Sequence, residues 1–377
     1  MQRTAVYWLI YIQTHSTFML GVAVFAAQFP SFLFSLLGGV VSDRYNRYRV
    51  LIFTQVASLV QAALLTILVL FTHYTVWEIL TLSVLLGLIN AFDVPARQAM
   101  VYDMVDQKED LANAIALNSS MVNLARLIGP AISGLVLEKF GAGFCFLLNT
   151  GSFLAVIISL LLMRLPEYIP ALHVKKVMGE LKEGLVYLKH TPSIAFVILL
   201  LACMSLFVLP YITLLPVYAK VIFSGNASTF GYLNSFIGLG AIIGTIFLAS
   251  IKPGVDLKKV LFINTLIFGS GLILFSHMTY LPLALFFSVL TGYGMMSQVT
   301  ISNTIIQTTV SQEMRGRVIS YFAMAFFGMQ PLGGLLIGAA SHYIGTPNTI
   351  LAEGIMALLI TLLFVYFLKR RQFRKVD

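Results

Sequence analysis

Long apolar runs separated by short charged loops form the pattern of this chain. Residues 17–41 are apolar apart from Gln28 and a few hydroxyls, and residues 50–71 apart from Gln55 and Gln61. Each run suffices to cross a hydrocarbon layer of roughly 30 Å, which takes about 20 helical residues. The same pattern predicts further spans at 76–99, 112–137, 144–163, 194–219, 230–251, 260–275, 281–304, 318–342 and 349–368. Residues 1–13 are apolar too, but at 1.5 Å per residue they reach only about 20 Å. The first span is therefore expected to be the back half of a longer helix.

The pattern divides into two halves. Residues 1–163 form an N-terminal bundle of six spans, the first partial; 164–190 form a linker; 191–368 form a C-terminal bundle of six; 369–377 form a basic tail. Leu181, Leu185 and Leu188 fall at helical spacing in the linker, predicting an amphipathic helix along the membrane surface. The halves carry traces of a repeat. Gly129-Pro130 with Gly134 and Gly141 is answered by Gln330-Pro331 with Gly333, Gly334, Gly338 and Gly345, and Cys145 to Asn149 by Pro347 to Leu351. Both copies run in the same direction, as expected of parallel repeats about an axis along the membrane normal with the pathway between them.

Composition agrees. Of 377 residues 59% are hydrophobic and 10% charged, against about 25% charged in soluble domains. The expected class is an all-α polytopic membrane protein. A net charge of +9 raises a nucleic-acid partner, but the basic residues sit in short loops on one side of the spans. Topology accounts for them, and no nucleic acid is implied. With the Asp43 loop inside, the 100s loop, the linker, 252–259, 313–317 and the tail are inside as well, while the opposite loops offer only Lys139 and Lys220. Both termini are expected in the cytoplasm. Cys145 and Cys203 lie inside apolar runs without metal-ligand spacing and read as small core hydrophobes. No metal or cofactor is expected, and no phosphate-binding Gly-x-x-x-x-Gly-Lys motif occurs. The six histidines are scattered, which argues against a membrane enzyme.

The motifs resemble a known family. Gly39-x-x-x-Asp43-Arg44-x-x-Arg47-x-Arg49 resembles the loop signature of the major facilitator superfamily, and Gly129-Pro130-x-x-x-Gly134 its antiporter signature. Asp93-x-Pro95-x-Arg97-Gln98-Ala99, Asn113-Ala-x-Ala-Leu-Asn118-Ser119 and Ala125-Arg126-x-x-Gly129-Pro130 resemble the branch of enterobactin exporters and macrolide efflux proteins. The similarity runs from about residue 2 to about 366. It implies two six-helix bundles related by pseudo-two-fold symmetry, the first helix cut short. It also implies proton-antiport efflux of a small amphipathic drug or siderophore-like molecule from a bacterial inner membrane, by a monomer that meets substrate, protons and lipid. Asn46 stands where the superfamily prefers glycine; asparagine also accepts a left-handed turn. The matching loop of the second half, 252–259, lacks the Asp-Arg signature.

Several side chains are candidates for the mechanism. Asp43, Arg44, Arg47 and Arg49 form either a cytoplasmic latch, with an arginine meeting Asp93 or Asp103, or a cap and a topology signal. Gly129, Pro130 and Gly134 mark a bend and a close helix contact, either a seal against leak or plain packing. Asp93 and Arg126 are the main ionisable groups inside spans, where a charge costs roughly 2.5–3.5 kcal/mol. Asp93 is either the proton-coupling carboxylate or half of a buried ion pair with Arg97 or Arg126. Ser119, Asn123, Arg126 and Pro130 share one face by their spacing, and with Gln28, Asn90 and Gln298 they are candidates to line a cavity. Glu353 ranks below Asp93 as a proton carrier, and Glu78 and Glu138 are expected to be solvated near the outer face. Asn149, Tyr211, Asn234, Tyr293, Asn303 and Gln307 read as interhelical glue.

Overall fold

In lipid every backbone N–H and C=O needs an internal partner, so apolar runs of this length fold as helices. A computed structural model describes residues 1–104, 110–163, 177–252 and 254–373; at Asp43, Asp103 and Ser119 it describes the backbone alone. The start of the expected linker, 164–176, and the end of the tail, 374–377, lie outside the described residues. The helices are α1 (Gln2–Thr14), α2 (Thr17–Arg44), α3 (Arg47–Phe71), α4 (Val76–Asp103), α5 (Leu111–Leu162), α6 (Val177–His190) and α7 (Pro192–Phe207). They continue as α8 (Leu215–Val217), α9 (Ala227–Ala249), α10 (Leu257–Ser276), α11 (Leu281–Thr309), α12 (Gln312–Ala323), α13 (Met329–Ile344) and α14 (Thr346–Phe373). No strand occurs among the described residues.

Ten segments among the described residues are long and apolar enough to cross a membrane. One of them is two spans in one: α5 breaks at Gly141, with φ 81° and ψ 175°. The matching break in the second half is Gly345, between α13 and α14, with φ 82° and ψ 155°. Only glycine adopts this backbone without strain, so both turns depend on the missing Cβ.

Two expected spans are not continuous. The predicted span 194–219 stops at Phe207; a 3-10 turn (Leu209–Leu214), the short α8 and a π turn (Tyr218–Ile222) follow. Pro210 and Pro216 have no N–H to give to a helix ladder, which explains the rupture. The predicted span 318–342 is α12 and α13 joined through a π turn at Met324–Gly328.

The chain forms two compact units. One comprises Met1–His173 and Asn226–Gly231, the other Val174–Gly225 and Tyr232–Asp377. In the first unit α2 packs along α4, and α3 against α4 and α5. In the second, α10 packs between α11 and α14, and α7 rests on α13 and α14. The amphipathic α6 is docked on this second unit. Its Leu188 joins a buried cluster with Ile194, Leu201, Ile306 and Val318, and Glu183 meets Arg317 at 2.6 Å.

Candidate functional site

The charged loop after α2 is shaped by its own side chains. Asn46 caps α3 by accepting a hydrogen bond from the Arg49 backbone N–H at 3.2 Å. Its φ of −59° is not left-handed, so the expected turn conformation is replaced by an N-cap, which asparagine makes well. Arg44 and Arg49 are exposed and Arg47 half-buried. The Asp43 side chain lies outside the described residues, so the latch contacts expected of it are not described. Asp103 and Ser119 stand in the same position. Gly39 has open space where a Cβ would go; the close contact is one residue earlier, at Gly38, where a Cβ would stand 1.9 Å from the Ala91 carbonyl oxygen. Beside the loop, a cavity of about 580 Å³ is lined by Tyr45, Asn46, Arg49, Phe53, Leu88 and Phe92, among others.

Asp93 lies deeper in the same unit, 3% exposed. Its Oδ2 accepts from the Arg97 guanidinium at 2.6 Å, one helical turn along α4. Its Oδ1 accepts from the Thr54 hydroxyl at 2.9 Å and the Gln55 amide at 2.6 Å, both on α3. Both oxygens are thus occupied. Of the two partners considered from the sequence, Arg97 takes this position and Arg126 does not. Thr54 and Gln55 were not predictable as donors from their own run, where they are two of several polar residues scattered along an apolar helix.

Arg126 stands elsewhere in the unit. It is exposed, midway between the start of α5 at Leu111 and the break at Gly141. Among the described residues no carboxylate pairs with it, and the charge it feels is that of Arg3, of like sign. Asn123 and Pro130 on the same face are half-buried, as are Gln28 on α2 and Asn90 on α4. Gly129 has open space around a would-be Cβ, whereas Gly134 faces Ala227 and Gly231 so closely that a Cβ would lie 2.6 Å from the Ala227 carbonyl oxygen. At Pro130 α5 carries on, and its break falls eleven residues later, at Gly141. Glu138 is not simply solvated; it accepts from the Asn226 amide at 3.2 Å and the Ser228 N–H at 3.3 Å. Glu78 accepts the Thr75 N–H at 2.6 Å, capping α4.

Two polar groupings complete the picture. In the first unit Asn149 donates to Gln2 at 2.7 Å, Gln2 to Gln61 at 3.0 Å, and Gln61 to the Leu82 carbonyl at 3.0 Å. In the second, Glu353 is 2% exposed and Gln298 fully buried, and none of their side-chain oxygens, nor the Gln298 amide nitrogen, has a partner among the described residues.

The model of the transmembrane secretion effector family matches residues 1–377. The chain belongs to this family of the major facilitator superfamily. The chain is 29% identical over 382 residues to the staphyloferrin A transporter of Staphylococcus aureus, covering 98% of this chain and 92% of that one. It is 25% identical to the enterobactin exporter EntS of Escherichia coli, covering 97% and 87%, and 22% identical to macrolide efflux protein A of Streptococcus pyogenes, covering 93% and 87%. Its fold matches the nucleoside transporter NupG with a TM-score of 0.79 at 10% identity, covering 96% of this chain and 94% of that one. A D-xylose–proton symporter matches at 0.75 and 13% identity, covering 96% and 93%. The protein is thus a multi-pass membrane transporter of the major facilitator fold.

Proposed function

We propose that this protein exports a small amphipathic molecule from a bacterial cytoplasm in exchange for protons, each side of the membrane opening in turn. Arg126 carries the reading. A guanidinium exposed midway along an apolar span is tolerated only where it faces a water-filled cavity or a partner. With no carboxylate paired to it among the described residues and Arg3 adding a second positive charge, the cavity favours an anionic amphipath. Among the relatives, a staphyloferrin A transporter and an enterobactin exporter support a siderophore-like cargo over a cationic drug.

Around that centre, Arg44, Arg47 and Arg49 with Asp43 serve as a cytoplasmic latch, and the tight contact at Gly134, with Gly129 and Pro130 beside it, as a seal against leak. Asp93 pairs with Arg97 along α4 and ties α4 to α3 through the hydrogen bonds it accepts from Thr54 and Gln55. Gln28, Asn90, Ser119, Asn123 and Gln298 remain candidates to line the path. Both termini face the cytoplasm, on the charge distribution of the loops. Inverted vesicles given a catechol siderophore in the external medium test the reading. Arg126→Ala is expected to lose its uptake while Arg126→Lys keeps part of it. Equal uptake in wild type and Arg126→Ala would remove the arginine from the pathway.

A further inference from the structure

A carboxyl group buried without a hydrogen-bond donor or a cation does not remain ionised at low cost; it takes up a proton instead. Glu353 on α14 is in this position. It is 2% exposed and neither oxygen has a partner among the described residues. Next to it, Gly354 brings α14 so close to α10 that a Cβ there would lie 2.9 Å from the Gly269 carbonyl oxygen, which closes the acid in on that side.

The groups that face Glu353 lie on the ruptured stretch after α7. Tyr211, in the 3-10 turn, and Tyr218, in the π turn, are both within its electrostatic reach. Tyr211 donates to the Thr291 hydroxyl at 3.2 Å and has its ring 5.9 Å from that of Phe268; Tyr218 donates to the Ser276 carbonyl and has its ring 4.7 Å from that of Phe275, tilted by 36°. Both phenol protons are committed elsewhere, so neither neutralises the acid. Of the other helices packed on α14, α10 bears charge only at Lys258 and Lys259 in its first turn. α13 carries His342 near its end, and α7 only the thiol of Cys203. A π turn and a 3-10 turn in one span are weak points of the helix ladder and recur at functional sites. Here they lie beside the one buried acid among the second unit's described residues.

We infer that Glu353 carries the coupling proton. It is loaded in the conformation described here, and it releases its proton when the Val208–Ile222 stretch re-forms and admits water to the carboxyl. The step is a protonation of one carboxylate oxygen and its reversal; no other bond changes. The inference rests on the antiport reading above and assigns the coupling site to the second unit rather than to Asp93.

Infrared difference spectra of purified protein in lipid vesicles test the protonation directly. Wild type at neutral pH is expected to show a protonated-carboxyl C=O band, sensitive to deuterium exchange, that Glu353→Gln lacks; the same band in both would overturn the inference. Catechol siderophore transport in the same vesicles tests the coupling. In Glu353→Gln, ΔpH-driven movement is expected to fall to the level of empty vesicles while siderophore exchange without a gradient persists, showing that the variant is folded. Undiminished ΔpH-driven movement would overturn the inference. A wild type that shows the band yet moves no ethidium, macrolide or catechol siderophore under ΔpH would remove the antiport reading and, with it, the coupling role.

Discussion

Asn149 and Glu353 occupy the same place in the two units. Each lies eight residues beyond a glycine of positive φ, Gly141 in one case and Gly345 in the other. The register set by these glycines pairs Asn149 with Glu353 and corrects the pairing with Leu351 that the sequence suggested. The outcomes differ. Asn149 is an amide tied through Gln2 to Gln61, a neutral chain that holds α1, α3 and the second part of α5 together. Glu353 is an acid to which no described residue is hydrogen-bonded. The lesson is that one backbone frame supports either interhelical glue or a titrating group, and one side chain decides which. The first unit's own acid, Asp93, is no counterexample, because Arg97, Thr54 and Gln55 satisfy it.

Five substitutions probe this contrast. The largest effect is expected from Glu353→Asn, which gives the second unit the side chain of the first. ΔpH-driven transport should vanish while the protein still assembles, as measured by vesicle flux beside a size-exclusion profile. Next comes Asp93→Ala. It removes a half-exposed ion pair and strands the Gln55 amide, while the Thr54 hydroxyl keeps the Leu51 carbonyl as acceptor, a loss of about 1–3 kcal/mol. Thermal melting in detergent should drop clearly, and flux per folded molecule should keep its pH dependence. Gly141→Ala and Gly345→Ala each place a side chain in a backbone region that is nearly glycine-only, at about 1–3 kcal/mol. Similar losses of melting temperature in the two variants would support equivalent turns, and a loss in one alone would break the correspondence. The smallest effect is expected from Asn149→Ala, because a hydrogen bond between membrane helices contributes about 0.6 kcal/mol on average. Its coupling ratio, protons per substrate, should match wild type.

Much of the fold is legible in the sequence because length and hydropathy decide it. The spans, the glycine breaks and the basic loops all follow from apolar runs and their interruptions. The i, i+4 spacing of Asp93 and Arg97 also made their pair visible. What stayed hidden depends on how helices are turned toward each other. Thr54 and Gln55 reach Asp93 only because α3 presents that face to α4, and no local pattern reveals this. Gly38 rather than Gly39 makes the close contact for the same reason. The rupture after Phe207 had its signal in Pro210 and Pro216, outweighed by an unbroken apolar run. Glu353 was visible as an acid in a span, but its lack of any partner is a property of the packed unit.

The most direct test is the substrate-dependent collapse of an imposed pH gradient in vesicles, with wild type, Asp93→Asn and Glu353→Gln compared at equal amounts of folded protein. The account predicts collapse in wild type and in Asp93→Asn, and none in Glu353→Gln. Collapse that is lost in Asp93→Asn and kept in Glu353→Gln would contradict it and return the coupling proton to the first unit.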